Sequence, residues 1–310
     1  MSLATPTATP AGGERESTAL KFGVMLYPDG ALLDLPRQFR WLEDLGFDQV
    51  VVPDHSADLR DRTRPWFDGW SILPLAATAT ERIRIGTLVS NPILRPPATL
   101  ARQALTVDHL SGGRLDLGIG AGLFDWDHHA VGEEPWSPKE RAGRFADYVA
   151  ILDGILRGRG EPFTHAGKWL QARDVATVPG SVQRPRPTLM TGGQSPTVLR
   201  VTAERADVWN TIGPMIDDGD EILAVTARQN AKLDELCLAA GRDPKSLRRS
   251  FTPFGPFDFW HRNVSLEEIV ERFSAIGMTE FVFELPPQDR MSEFEHLATE
   301  VIPSLRRSVG

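Results

Sequence analysis

The chain has 310 residues, 41% of them hydrophobic, enough for one large domain with a substantial core. A formal net charge of −8 argues against nucleic acid or an anionic membrane as partner, and a single cysteine, Cys237, excludes an internal disulfide framework and Cys-rich zinc sites. No apolar run is long enough to span a bilayer and no signal-peptide core opens the chain, so a cytoplasmic protein is expected.

Residues 1–18 are small, polar and Pro/Gly-rich and read as a disordered tail; residues 19–310 read as one domain. From Lys21 onward short apolar runs alternate with amphipathic segments. FGVMLYP precedes a helix in which Leu35, Phe39, Leu42 and Leu45 recur at helical spacing, ended by Gly46. DQVVVPDH precedes a helix beginning near Asp68. RIRIGTLVSNP precedes ATLARQALTVDHL, and RLDLGIGAG follows it. After the helix RAGRFADYVAILDGIL comes an irregular stretch, Glu161 to Pro187. The alternation resumes with TLMTGG, PTVLRVTAERA, DVWNTIG, a long helix near Ile222 to Ala240, RRSFTPFGPFDF, SLEEIVERFSAIG, EFVFELPP and a last helix from about Met291. Eight strand–helix units predict a parallel (β/α)8 TIM barrel with an insertion before its fifth strand. An open, doubly wound sheet is the alternative.

The fourth unit, DHLSGGRLDLGIGAG, strips side chains from one face of a strand. Its G-x-G-x-G spacing, on a fourth strand and with no helix starting at the last glycine, does not fit the G-x-G-x-x-G dinucleotide fingerprint. With period two, Asp116, Gly118, Gly120 and Gly122 share a face opposite Leu115, Leu117 and Ile119. Leucines against the helices would turn the glycines into the barrel, where missing side chains leave a slot for a flat ring. Gly120 and Gly122 are therefore candidate cofactor contacts.

Further candidates lie at strand ends. Gly192 and Gly193 close the fifth barrel strand, and Gln194-Ser195-Pro196 opens a helix whose amides and dipole suit an anion. Asp54 and His55 close the second strand, at the catalytic end of a barrel. Ser90-Asn91-Pro92 closes the third, with Ser90 a candidate cofactor contact and the Asn91 amide a candidate partner for a ring edge. Tyr27 and Trp66 are candidates for substrate-pocket walls, or for loop packing. Asp125, Asp127, His128 and His129 lack the spacing of metal ligands, so no metal site is expected.

These motifs together resemble the bacterial luciferase-like monooxygenase superfamily. LTVDHLSGGRLDLGIGAG, RIRIGTLVSNPILRPPATLARQ, GFDQVVVPDH and MTGGQSPTVLRVTAERADVWN carry the likeness, which runs from about Lys21 to Arg306. The resemblance implies a barrel enzyme that uses coenzyme F420 or FMN at its C-terminal mouth, acting on a small molecule as a dimer or tetramer. It implies that the cofactor phosphate sits at Gly192–Ser195 and that Asp54, His55 and Asn91 lie near the reactive ring edge. A non-prolyl cis peptide near Ser90 is implied as the surface against which the ring packs. Leu123 stands where some sugar-phosphate dehydrogenases of the superfamily carry a glutamate. SNP and PDH look closer to the F420-dependent branch, so F420-dependent hydride transfer is the leading expectation. The alternative is an FMN-dependent monooxygenase that receives reduced flavin from a reductase; a relative that only binds flavin is a third.

Overall fold

Apolar runs bounded by Gly, Pro and Asp form the strands of a computed structural model that describes residues 19–30 and 32–309. The expected tail, residues 1–18, lies outside the described residues. In chain order the strands are β1 (Lys21–Met25), β2 (Gln49–Val52), β3 (Arg84–Ser90), β4 (Leu115–Ile119), β5 (Phe163–Ala166), β6 (Gln171–Val175), β7 (Thr188–Gly192), β8 (Val208–Thr211), β9 (Arg248–Phe251) and β10 (Glu280–Glu284). Eight of them close into a parallel barrel, β1-β2-β3-β4-β7-β8-β9-β10 and back to β1, with β5 and β6 as a separate antiparallel pair. The closed ring rules out the open sheet. The insertion before the fifth barrel strand contains that two-stranded pair.

The helices are α1 (Leu35–Asp44), α2 (Gly69–Ala79), α3 (Pro97–Leu110), α4 (Asp125–Ala130), α5 (Pro138–Arg157), α6 (Pro196–Arg205), α7 (Gly219–Ala239), α8 (Leu266–Ser274), α9 (Met291–His296) and α10 (Ile302–Val309). Their ends follow local chemistry. Asp68 caps α2 by accepting from the Ser71 amide at 2.7 Å, and Gly46 takes φ 83° just past α1. The long helix α7 starts before Ile222 because Asp218 accepts from the amides of Asp220 and Glu221.

Period-two alternation sorts the strand residues into a lumen set and a helix-facing set. Leu115, Leu117 and Ile119 are buried in the main core with Leu100, Ala104 and Val198 of the surrounding helices. The lumen is layered. At the N-terminal end of the strands, Asp116 accepts from Gln49 at 2.7 Å and from Arg84, while Glu280 pairs with Arg248 at 2.8 Å and Lys21 at 3.7 Å. Above this polar layer Met25, Val51, Leu88, Met190, Val208 and Val282 form a second apolar cluster, with Tyr27 and Val89 packed on it. Asp116 faces the lumen, so Gly118 and Gly120 do too, as the alternation predicts.

A candidate active site at the barrel mouth

The expected slot beside the strand-four glycines is filled. The Leu88–Val89 peptide is cis, and the β3–β4 register shifts between Thr87 and Ser90. Across this irregularity both Leu88 and Val89 reach the lumen cluster. A β-carbon at Gly118 would lie 2.0 Å from the Thr87 carbonyl oxygen, and one at Gly120 would lie 2.5 Å from a Val89 methyl. One at Gly192, across the lumen side of β7, would lie 3.3 Å from the other Val89 methyl. Gly118 therefore makes room for the Thr87 carbonyl, Gly120 and Gly192 make room for Val89, and the half-buried Val89 is the apolar surface they present. The cis bond lies just before Ser90, in the region the resemblance implied. Val89 itself is not among the residues expected from sequence; as an apolar residue in a strand it carries no signal of its own.

Ser90 is buried, its hydroxyl 2.8 Å from that of Thr87 and accepting from the Trp70 indole at 3.1 Å. That hydroxyl serves the strand irregularity. Gly122, at φ 75°, lies on the loop after β4, where a β-carbon would come 2.8 Å from Ile93.

His55, Asn91 and the α4 residue Asp127 form one cluster. Asp127 Oδ2 is 2.8 Å from His55 Nδ1 and accepts from Asn91 Nδ2 at 2.8 Å, while Oδ1 accepts from the Ser56 amide at 2.8 Å and hydroxyl at 2.6 Å. Burial alone would raise the Asp127 pKa, but the bonds from His55 and Ser56 outweigh it and hold the carboxyl below its ordinary value. A carboxylate facing Nδ1 fixes that nitrogen as the proton-bearing one, leaving Nε2 as the acceptor of the neutral ring. The Trp66 indole donates to the His55 carbonyl at 2.8 Å and Phe124 meets the imidazole edge-on at 5.3 Å, so the ring is clamped. From sequence, Asp127 has no assigned role: it belongs to a stretch whose spacing does not suit a metal. Its role depends on α4 meeting the loops after β2 and β3, which no local pattern in DWDHHA announces.

Asp54 is placed differently from its neighbour. It is 2% exposed, held by Arg95 Nη1 at 2.5 Å and by the Asn91 amide at 3.0 Å. Burial pushes its pKa up, against the pull of Arg95 and the Asn91 amide. Arg95 also pairs with Asp68, and its carbonyl accepts from the Tyr148 hydroxyl at 3.0 Å. Asp54 is thus a buttress that fixes the Asn91 backbone. Elsewhere in the Asp125–His129 stretch, Asp125 and His129 are exposed and His128 packs against Trp136 at 4.7 Å between ring centroids. Among the described residues no group of three or more His, Cys, Asp or Glu side chains is arranged to hold a metal ion.

Tyr27 and Trp66 do meet, with ring centroids 5.7 Å apart, and the Arg60 guanidinium sits 4.1 Å above the Tyr27 ring. The Tyr27 hydroxyl donates to Glu284 at the end of β10. Sequence reading does not single out Glu284 and Arg60, although Glu280, Val282 and Glu284 alternate toward the lumen in plain view.

Across the mouth, Gly193 takes φ 136° and its carbonyl accepts from Trp209 Nε1 at 3.0 Å. Ser195 caps α6 by accepting from the Val198 amide at 3.3 Å, and the Gln194 amide group donates to the Gly213 carbonyl. Among the described residues the backbone amides of Gln194, Ser195 and Thr197 have no hydrogen-bond partner. A helix start carrying unpaired amides beside two glycines has the donor chemistry an anion needs.

Residues 14–255 match the model of the luciferase-like monooxygenase family. The chain belongs to that family. It is 28% identical over 319 residues to the F420-dependent glucose-6-phosphate dehydrogenase of Beutenbergia cavernae, covering 85% of this chain and 90% of that one. It is 33% identical over 135 residues to the 4-hydroxyprotoasukamycin monooxygenase of Streptomyces nodosus subsp. asukaensis, covering 43% of this chain and 34% of that one. Its fold matches the coenzyme F420-dependent tetrahydromethanopterin reductase of Methanopyrus kandleri with a TM-score of 0.72 at 18% identity, over 93% and 99% of the two chains. This luciferase-like barrel is therefore that of an oxidoreductase or monooxygenase family. No described helix is long and apolar enough to cross a membrane.

Proposed function

We propose that this luciferase-like protein uses coenzyme F420 to move a hydride to or from a small organic substrate. The carrying observation is the His55–Asp127 pair at 2.8 Å, which sets one imidazole nitrogen toward a buried carboxylate and leaves the other for a substrate or ring-edge atom. A fixed tautomer of this kind suits proton handling that accompanies hydride transfer. The cofactor choice is supported by the F420-dependent relative in Beutenbergia cavernae, which matches along most of both chains.

The residues present fit such a cofactor. Val89, backed by Gly120 and Gly192, offers an apolar platform, and the amides of Gln194, Ser195 and Thr197 offer the site for its phosphate. The cofactor, when bound, supplies the hydride chemistry; the protein supplies position and electrostatics. Asn91 and His55 are held by Asp127 to line the ring edge, Asp54 and Arg95 hold the Asn91 backbone, and Tyr27 with Trp66 walls the substrate space. A cytoplasmic homo-oligomer, served by a reductase that regenerates the reduced cofactor, completes the reading.

The second reading is FMN-dependent oxygenation, whose oxygenation part is supported by the higher identity over 135 residues to the Streptomyces nodosus monooxygenase. Titrating the purified protein with F420 and with FMN, followed by anaerobic turnover of the tighter ligand, separates the two. Tighter F420 binding with oxygen-independent reduction or oxidation is expected. Tighter FMN binding with strict oxygen dependence overturns the proposal.

A further inference from the structure

Glu284 is a carboxyl group in the lumen with no cation against it. At the other end of the same strand, Glu280 also faces the lumen, and it is paired with both Arg248 and Lys21. Glu284 has no ion pair among the described residues, and its one side-chain partner is the Tyr27 hydroxyl. Arg60, the nearest cation, is committed elsewhere: its guanidinium reaches Asp58 at 3.0 Å and Asp29 at 3.1 Å. Tyr27 is held from its faces, by Trp66 on one contact and Arg60 on another, so its hydroxyl is aimed without being locked by a second hydrogen bond. The β1–β10 register, Met25 beside Glu284, brings the two groups to the same rim of the barrel. Both are half-buried. A carboxyl kept at a mouth beside a phenol, with no ion pair among the described residues, is costly to stability and is the kind of arrangement that functional sites retain.

We propose that Tyr27 and Glu284 form a proton relay, distinct from the His55–Asp127 pair, for a substrate that interconverts a carbonyl and a hydroxyl group. The proposal rests on the hydride-transfer reading above. In the reducing direction the carbonyl carbon gains the hydride from reduced F420 and the carbonyl π bond breaks. The substrate oxygen takes the Tyr27 hydroxyl proton, and the Tyr27 oxygen takes the Glu284 carboxyl proton, so the Tyr27–Glu284 hydrogen bond runs from the protonated carboxyl in this direction and from the Tyr27 hydroxyl in the oxidising one. Glu284 is left as a carboxylate, to be reprotonated by water at the mouth. Alcohol oxidation runs the same bonds in reverse. Tyr27 touches the substrate; Glu284 acts through it.

The surroundings raise the Glu284 pKa above its ordinary value. Burial pushes its pKa up, opposed by the Tyr27 hydrogen bond and by Arg60. Burial, and then the Glu284 charge, likewise push Tyr27 up. The other charged groups facing the pair are Asp58, from the loop after β2, and Asp258 and His261, from the loop after β9 and paired with each other at 2.8 Å.

Two variants test this, Tyr27→Phe and Glu284→Gln, both of which keep side-chain shape. The first readout needs no cofactor: the infrared spectrum of the protein near neutral pH. A protonated-carboxyl band is expected in wild type, shifted in Tyr27→Phe and absent in Glu284→Gln; identical carboxyl regions in wild type and Glu284→Gln overturn the relay. The second uses the F420-loaded protein with a panel of small ketones and secondary alcohols. Tyr27→Phe is expected to lower turnover by about 10²-fold or more, the low end of general acid–base catalysis, while F420 affinity stays within about twofold. Ketone reduction in wild type is expected to fall as pH rises through the raised Glu284 pKa, and that limb is expected to vanish in Glu284→Gln. Turnover within about twofold in Tyr27→Phe, an unmoved limb, or no turnover of the panel by protein that binds F420 overturns it. Failure to bind F420 is read in the titration itself, so it is recognised as failure of the cofactor reading, and the infrared result then decides the relay.

Discussion

His55 Nδ1 lies 2.8 Å from Asp127 Oδ2, and the same oxygen accepts from Asn91 Nδ2 at 2.8 Å, so one buried carboxylate sets the orientation of two residues at the mouth. In an Asp127→Asn variant one side-chain atom facing His55 and Asn91 would become a donor against two donors, or the amide would flip and face the Ser56 donors instead. Either way the His55 tautomer is released. Turnover is expected to fall by about 10²-fold or more, with cofactor affinity changed far less, because the loss falls on a group that positions for the transition state. Steady-state kinetics beside a cofactor titration checks the split.

The same carboxylate predicts an acid dependence. Its folded-state pKa lies below the ordinary value, so it stabilises the fold fully above the unfolded pKa, about 3.9, and that contribution is lost as pH falls through the folded pKa. The side-chain amide introduced by Asp127→Asn does not titrate. The stability gap between wild type and variant is therefore expected to be widest near neutral pH and to narrow below about pH 4, as read by thermal melts across that range.

Gly118 and Gly120 should respond differently to a methyl group. At Gly118 the obstacle is the Thr87 backbone carbonyl, which cannot move without disrupting the strand, so Gly118→Ala is expected to cost at least the upper end of the roughly 1–3 kcal/mol typical of overpacking. At Gly120 the obstacle is the Val89 side chain. Trimming it in Val89→Ala is expected to recover part of the Gly120→Ala loss, with a coupling of about 0.5–3 kcal/mol in a double-mutant cycle. Denaturant unfolding of the four proteins reads it.

Removing Arg95 would strand Asp54. The carboxylate is buried and would keep only the Asn91 amide as partner, so Arg95→Met is expected to destabilise by about 3–5 kcal/mol. The double variant Asp54→Asn/Arg95→Met should recover much of that, because no buried charge remains. Urea midpoints at constant slope are the measurement.

The anion site can be probed without straining the backbone. Gly193 takes φ 136°, where a side chain is disfavoured, but Thr197 lies in the first turn of α6 and is half-buried. Thr197→Asp places a negative charge where the helix dipole welcomes it, so stability should hold or rise slightly. The same charge would repel a cofactor phosphate, and binding is expected to weaken tenfold or more. Unchanged cofactor affinity in the folded variant would place the phosphate elsewhere.

The sequence by itself determined the barrel, because repeated strand–helix alternation and period-two burial are local properties: LDLGIG has to send its leucines one way and its glycines the other once a strand forms. It also located the mouth, since Asp54-His55, Ser90-Asn91 and Gly192–Ser195 all end strands and strand ends share one rim. What each residue does there was decided only by tertiary structure. Asp54 and His55 are neighbours in sequence, yet Arg95 buries the first as a buttress, while Asp127, 72 residues beyond His55, orients the second. Gly120 and Gly192, 72 residues apart, gain a common purpose only because Val89 lies between them. Glu280 and Glu284 are the same residue type with the same lumen-facing alternation; one meets two cations and the other a phenol because different strands and loops cross at the two ends of the barrel. Periodicity fixes which way a side chain points, whereas its charge state and partner are set by groups that only the closed barrel brings within a few ångströms.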